Sequence, residues 1–176
     1  YLLGQNDVDI WMEEKLNENL KQSLTLVSCF YDKYIPHTEV CTNIKQIIEN
    51  TNGRFDAYLV GSDQVWRKGS TGQIGLKNYL LHFTERMNVK RFAYAVSFGV
   101  SGNLLSQKEI DSLKQDYFRF DAVSVREKSA LDLLKDYGWN SPIPTLCLDP
   151  TLLLTQSDYS QLVEENEVEN LTSGKI

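Results

Sequence analysis

Cysteine is scarce: Cys29, Cys41 and Cys147 stand far apart, with no CxxC pair and no histidine pair beside them. This spacing excludes a zinc site and a disulfide framework, and it fits a reducing, cytoplasmic setting. Cys147 sits in an apolar run, where it is expected to pack as a small hydrophobe. Histidine is scarcer still. His37 and His82 are solitary, no HExxH or EF-hand pattern occurs, and no metal is expected. Basic residues are outnumbered, 18 Lys and Arg against 24 Asp and Glu, for a net charge of −6. Without a basic stripe to neutralise phosphates, nucleic acid is not expected as a main partner. No apolar run approaches the roughly 20 residues that cross a membrane, and no signal-peptide pattern opens the chain. Repeats and low-complexity segments are missing too. The 176 residues suffice for one domain with a substantial core.

What is present is a series of short β-prone runs with polar endings. Phe55 to Val60 stops abruptly at Gly61-Ser62-Asp63-Gln64, followed by Trp66 as a core anchor. Gly61 permits a sharp turn or a close backbone approach. Arg91 to Val96 ends at Ser97-Phe98-Gly99, Asp121 to Val125 runs into Arg126-Glu127, and Thr145 to Leu148 ends at Asp149-Pro150. Helix-sized segments separate the second run from the third and the third from the fourth. Such alternation implies crossover connections and a parallel sheet, with all four endings on one edge. In open α/β sheets that edge is where ligands bind.

Between the runs, Val8, Met12, Leu16, Leu20 and Leu24 recur every four residues, predicting a helix over residues 7–24 with Trp11 beside its stripe. Leu24 to Tyr31 has the character of an extended segment, and Pro36 ends what precedes it. A short helix is expected over Thr42 to Glu49. The Gly- and Ser-rich stretch from Arg67 to Gly75 lacks P-loop spacing and reads as a mobile loop bordering the site, with a nucleotide cradle as the alternative. His82, in an apolar setting, is expected to be buried and satisfied. Ser106 to Glu109 has capping-box spacing, with Ile110, Leu113, Tyr117 and Phe120 on one face behind it. Ser124 to Glu127 repeats the spacing, with Gly138 at the expected stop. That second box would put Arg126 in the first turn of a helix, where its charge aids anion binding at some cost to the helix. The alternative is an ion pair of Arg126 with Glu127 or an aspartate, holding the edge together.

The order FDAYLVGSDQVW, FAYAVSFG, FDAVSVREKSALDLLKDYG, LCLDPTLLL resembles the polysaccharide pyruvyl transferase family, from about Phe55 to Leu154. The resemblance implies a Rossmann-like parallel sheet flanked by helices, one half of a two-domain enzyme similar to the GT-B glycosyltransferases. Residues 1–154 would form an incomplete N-terminal domain, and residues 155–176 a linker or the start of a C-terminal domain. The chain reads as an internal piece, without the family's opening strand, its glycine-containing first loop and its second half, and weak or no activity is expected of it alone.

Members of that family transfer pyruvate from phosphoenolpyruvate to sugar hydroxyls, usually as a ketal on a cell-envelope glycan or its lipid-linked precursor. The resemblance therefore implies phosphoenolpyruvate as donor, no cofactor, a glycan or lipid-linked acceptor, and peripheral membrane association through that acceptor. The donor's phosphate and carboxylate call for cationic and N–H contacts. Arg126 is the natural anion clamp, and Asp63 suits orienting or deprotonating a sugar hydroxyl. Ser62, Gln64 and Ser97 are candidates to hydrogen-bond ligand oxygens, with Gly61, Gly99 and Glu127 lining the edge. Asp149, also a candidate contact, reads more simply as a helix N-cap before its proline. The general acid is expected outside these residues. Two alternatives stay open: a GT-B glycosyltransferase using a nucleotide sugar, and a non-catalytic member that binds glycan.

Overall fold

The computed structural model describes residues 18–69 and 75–165. The chain runs through α1 (Glu18–Tyr34), α2 (Ile44–Thr51), β1 (Ala57–Val60), the short α3 (Gly75–Tyr79), a 3-10 turn (His82–Thr84) and β2 (Lys90–Val96). It continues through α4 (Gln107–Tyr117), β3 (Ala122–Val125), α5 (Lys128–Asp136), β4 (Thr145–Leu146), a second 3-10 turn (Pro150–Leu153) and α6 (Gln156–Glu165). The four strands are all parallel and lie side by side in chain order, β1-β2-β3-β4. The parallel sheet expected from the alternation is observed, and so is the α/β, Rossmann-like class that the resemblance implies.

In parallel pairing, partnered residues share a face. Val60, Ala93 and Val123 are neighbours in register and buried, and Val125 continues that face into the core. Leu59, Phe92 and Ala122 share the opposite face, which is open enough to leave Leu59 66% exposed. The core beneath the first face is aromatic. Trp66, 1% exposed, meets Phe98, Tyr117 and Phe120 edge-on, and its Nε1–H donates to the Tyr79 carbonyl at 3.0 Å. Tyr117, whose phenol is pushed up by burial, donates to the Pro142 carbonyl at 3.0 Å. A buried Tyr O–H or Trp N–H usually finds such a partner, and Trp66 is the core anchor expected of it.

The helix starts follow local chemistry where no competitor exists. Asn43 caps α2 by accepting from Gln46 N–H at 3.0 Å. Glu109 reaches back to the Ser106 N–H at 2.8 Å, so the expected capping box opens α4. Its carboxylate is also held by Lys68 and lies at about 2, below the usual carboxylate range, with Lys68 the largest cause.

Three expectations are corrected. Leu24 to Tyr31 is helical, part of α1, because nothing between Glu18 and Tyr34 breaks a helix before Pro36. The fourth strand is short: only Thr145 and Leu146 pair, although Cys147 N–H still donates to the Val125 carbonyl at 2.9 Å. The third correction concerns Ser124, which caps nothing. It lies inside β3, buried, where its Oγ accepts from Ala95 N–H at 3.0 Å and faces the Ala93 carbonyl at 3.4 Å. Its hydroxyl is engaged by an irregularity of β2, between Ala93 and Val96, where Ala95 takes a φ of 50°. Helix α5 therefore opens at Lys128, and Gly138 (φ 65°) follows its end as expected.

His82 is half-buried, with Nδ1 2.8 Å from the buried Asp116 carboxylate, which also receives Arg119. The stripe from Val8, with Trp11, and the start of its helix lie outside the described residues, as do residues 70–74 of the glycine-rich loop. No helix among the described residues is long and apolar enough to cross a membrane.

Candidate functional site

The four strand endings meet, and backbone bonds bind them edge to edge. Ser97 N–H donates to the Asp63 carbonyl at 3.1 Å and Trp66 N–H to the Ser97 carbonyl at 3.2 Å, joining the ends of β1 and β2. Arg126 N–H donates to the Val96 carbonyl at 3.4 Å, joining β2 to β3. Gly61 makes the first of these turns possible. Its φ is 144°, and a Cβ there would lie 1.9 Å from the Tyr94 carbonyl oxygen. The irregularity at Ala95 alters the pleat just before Ser97, a common device beside ligand sites.

Arg126 is the hub. Its Nε donates to Glu127 at 3.0 Å, one Nη to Asp149 at 2.8 Å and the other to Asp63 at 3.0 Å. One positive charge thus faces three carboxylates drawn from three strand endings, leaving a local sum of −2. The pairs differ in exposure: Asp149 and Glu127 are 24% and 37% exposed, Asp63 82%. The guanidinium is held more firmly cationic than usual, with Asp149 the largest cause. Asp149 lies at about 2, lowered first by the Thr151 N–H, then by Arg126, with a small contribution from Ser62.

Behind Arg126 stands Ser97, fully buried. Its Oγ donates to Glu127 at 2.7 Å and accepts from Gly99 N–H at 2.8 Å. The other Glu127 oxygen is buried without a partner among the described residues. Gln64 lies over Gly99 so closely that a Cβ at Gly99 (φ 65°) would come within 2.4 Å of its amide, and it accepts from Arg67 at 2.8 Å. Among the described residues no group of three or more His, Cys, Asp or Glu is arranged to hold a metal.

A family model described as polysaccharide pyruvyl transferase matches residues 9–175. The chain belongs to that family. The match extends well beyond the stretch from Phe55 to Leu154 that carries the resemblance in sequence, and it makes this chain a member of a transferase family acting on polysaccharide. No curated protein and no solved structure gives a match.

In this pyruvyl transferase family member, Asp63, Arg126, Glu127, Asp149 and Ser97 form one bonded cluster. Ser62 borders it at Asp149, while Gln64 and Gly99 approach from the Ser97 side. The placement of Arg126 differs from expectation. It precedes α5 in a bend, and Glu127 occupies the N-cap position, so the first-turn dipole argument does not apply. The edge-holding ion pair weighed beside the anion-clamp role is present, threefold. Asp149 is a cap as well as an ion-pair partner, accepting from Thr151 N–H at 3.1 Å. Arg67, which in sequence opens the loop bordering the site, stands one residue past Trp66 and three past Gln64, to whose side-chain oxygen it donates.

Proposed function

We propose that this chain contributes the donor-binding edge of a transferase that moves pyruvate from phosphoenolpyruvate to two hydroxyls of a polysaccharide or its lipid-linked precursor. The observation that carries the reading is the unequal threefold pairing of Arg126. Two of its carboxylates are partly buried, whereas Asp63 is 82% exposed. An exposed ion pair is worth only about 0–1 kcal/mol, so an incoming anion can displace Asp63 while Glu127 and Asp149 keep the guanidinium aimed. The displaced Asp63 carboxylate is then free to accept a hydroxyl proton from the acceptor sugar.

The chemistry balances without a metal or redox partner. A proton adds to the donor's methylene carbon, making it a methyl group and leaving C2 electron-poor. One sugar hydroxyl adds to C2 and loses its proton. A second hydroxyl displaces the phosphate, which departs with the C2–O bond pair and takes up that hydroxyl's proton, and the product is a ketal bearing methyl and carboxylate. Ser62 and Gln64 border the edge where ligand oxygens would lie. Ser97, expected there as a ligand contact, is instead buried with its hydroxyl committed to Glu127 and Gly99, and its part is to hold Glu127 in place. In a GT-B-like arrangement the second half of the cleft would face this edge and supply the general acid, and a lipid-linked acceptor would bring the protein to a membrane surface in the cytoplasm.

Isothermal titration of the full-length protein with phosphoenolpyruvate, set against nucleotide sugars, tests the reading. Phosphoenolpyruvate should bind and Arg126→Ala should abolish binding with the fold intact. Binding of a nucleotide sugar alone would point to a glycosyltransferase, and binding of glycan without either donor to a non-catalytic role. Persisting transfer in a folded Arg126→Ala variant would make Arg126 structural.

A further inference from the structure

Two cations follow Trp66 on the segment that leaves β1, and they are placed differently. Lys68 is neutralised, its Nζ 2.7 Å from Glu109 at the start of α4. Arg67 is not. Its Nη donates at 2.8 Å to the neutral side-chain oxygen of Gln64, and among the described residues no carboxylate pairs with it. A guanidinium carries five N–H donors, so most of those on Arg67 remain for a ligand.

Arg67 is nonetheless held in place. Its N–H donates to the Gln64 carbonyl at 3.1 Å, and Trp66 beside it is 1% exposed, which fixes the backbone. Gln64 is seated on Gly99, Gly99 N–H is bonded to Ser97, and Ser97 to Glu127, the partner of Arg126. Continuous contacts therefore run from Arg67 across the ends of β1 and β2 to Arg126. The cation at one end of that line is outweighed by carboxylates, and the one at the other end has none among the described residues.

We infer, building on the donor-binding role proposed above, that Arg67 is a second anion-binding residue of this edge. Its ligand class is a small phosphorylated carboxylic acid, whose two anionic groups need two clamps. Arg126 takes one by exchanging Asp63, and Arg67, held by Gln64, takes the other. A bidentate guanidinium suits either a phosphate or a carboxylate.

The test is titration of the full-length protein and its Arg67→Gln, Arg67→Lys and Arg126→Ala variants with phosphoenolpyruvate and with inorganic phosphate, alongside melting curves. Loss of a charged hydrogen bond predicts phosphoenolpyruvate binding about ten-fold or more weaker in Arg67→Gln, partial recovery in Arg67→Lys, and a melting temperature close to the unsubstituted protein. If both Arg67 variants bind as the unsubstituted protein does while Arg126→Ala does not, the role of Arg67 is overturned and that of Arg126 stands. If the unsubstituted protein binds no phosphoenolpyruvate, both are overturned.

Discussion

Replacing Ser97 by alanine removes one oxygen and tests whether the edge is built as described. Ser97 is fully buried and its hydroxyl serves two partners, Glu127 at 2.7 Å and Gly99 N–H at 2.8 Å. The lost volume is a single atom, so the cavity contribution is small and the polar one dominates. A hydrogen bond to a charged group contributes about 1.5–3 kcal/mol and a neutral one about 0.5–1.5 kcal/mol. Glu127 is 37% exposed and water can replace part of what is lost, so the expected cost is about 2 kcal/mol, not the full sum. For a chain of this size that is a fall of about 4–8 °C in melting temperature. Urea unfolding of Ser97→Ala, beside the exposed control Ser112→Ala, measures it. Ser112 donates to the Glu109 carbonyl at 2.9 Å from the surface, and its loss should stay within about 0.5 kcal/mol. A Ser97→Ala cost equal to the control would refute the claim that this hydroxyl organises the strand endings.

Two further predictions concern the same edge. Gly61→Ala should destabilise by roughly 1–3 kcal/mol from backbone conformation alone, and by more because its Cβ must push the Tyr94 carbonyl from 1.9 Å away. A thermal melt within about 1 kcal/mol of the unsubstituted protein would contradict this geometry. Asp149 lies at about 2 in the folded chain, below its ordinary 3.8, so its contribution is fully present above about pH 4 and fades as pH falls through 2. Asp149→Asn should flatten the stability profile between those limits and leave the slope from pH 6 to 8 unchanged, which urea midpoints at stepped pH would show.

Much of this architecture is legible without coordinates, because it depends on near neighbours in the chain. Apolar runs stopping at GSDQ, SFG, RE and DP mark strand ends, and the spacing of Ser106 and Glu109 marks a helix start. A parallel sheet then places those endings on one edge by topology alone. Where a polar group has two competing partners, local pattern fails. Ser124 has the spacing of a cap, yet its hydroxyl meets Ala95 N–H, 29 residues away in sequence, and the helix starts later. Arg126 read as a clamp or as a pair, and its gathering of Asp63, Glu127 and Asp149 depends on contacts up to 63 residues apart. Periodicity and turn chemistry therefore marked the four strands and the start of α4, but not the helical state of Leu24 to Tyr31 or the start of α5. Only the tertiary structure decided which carboxylates a cation meets, because hydrogen bonds and charges act through space.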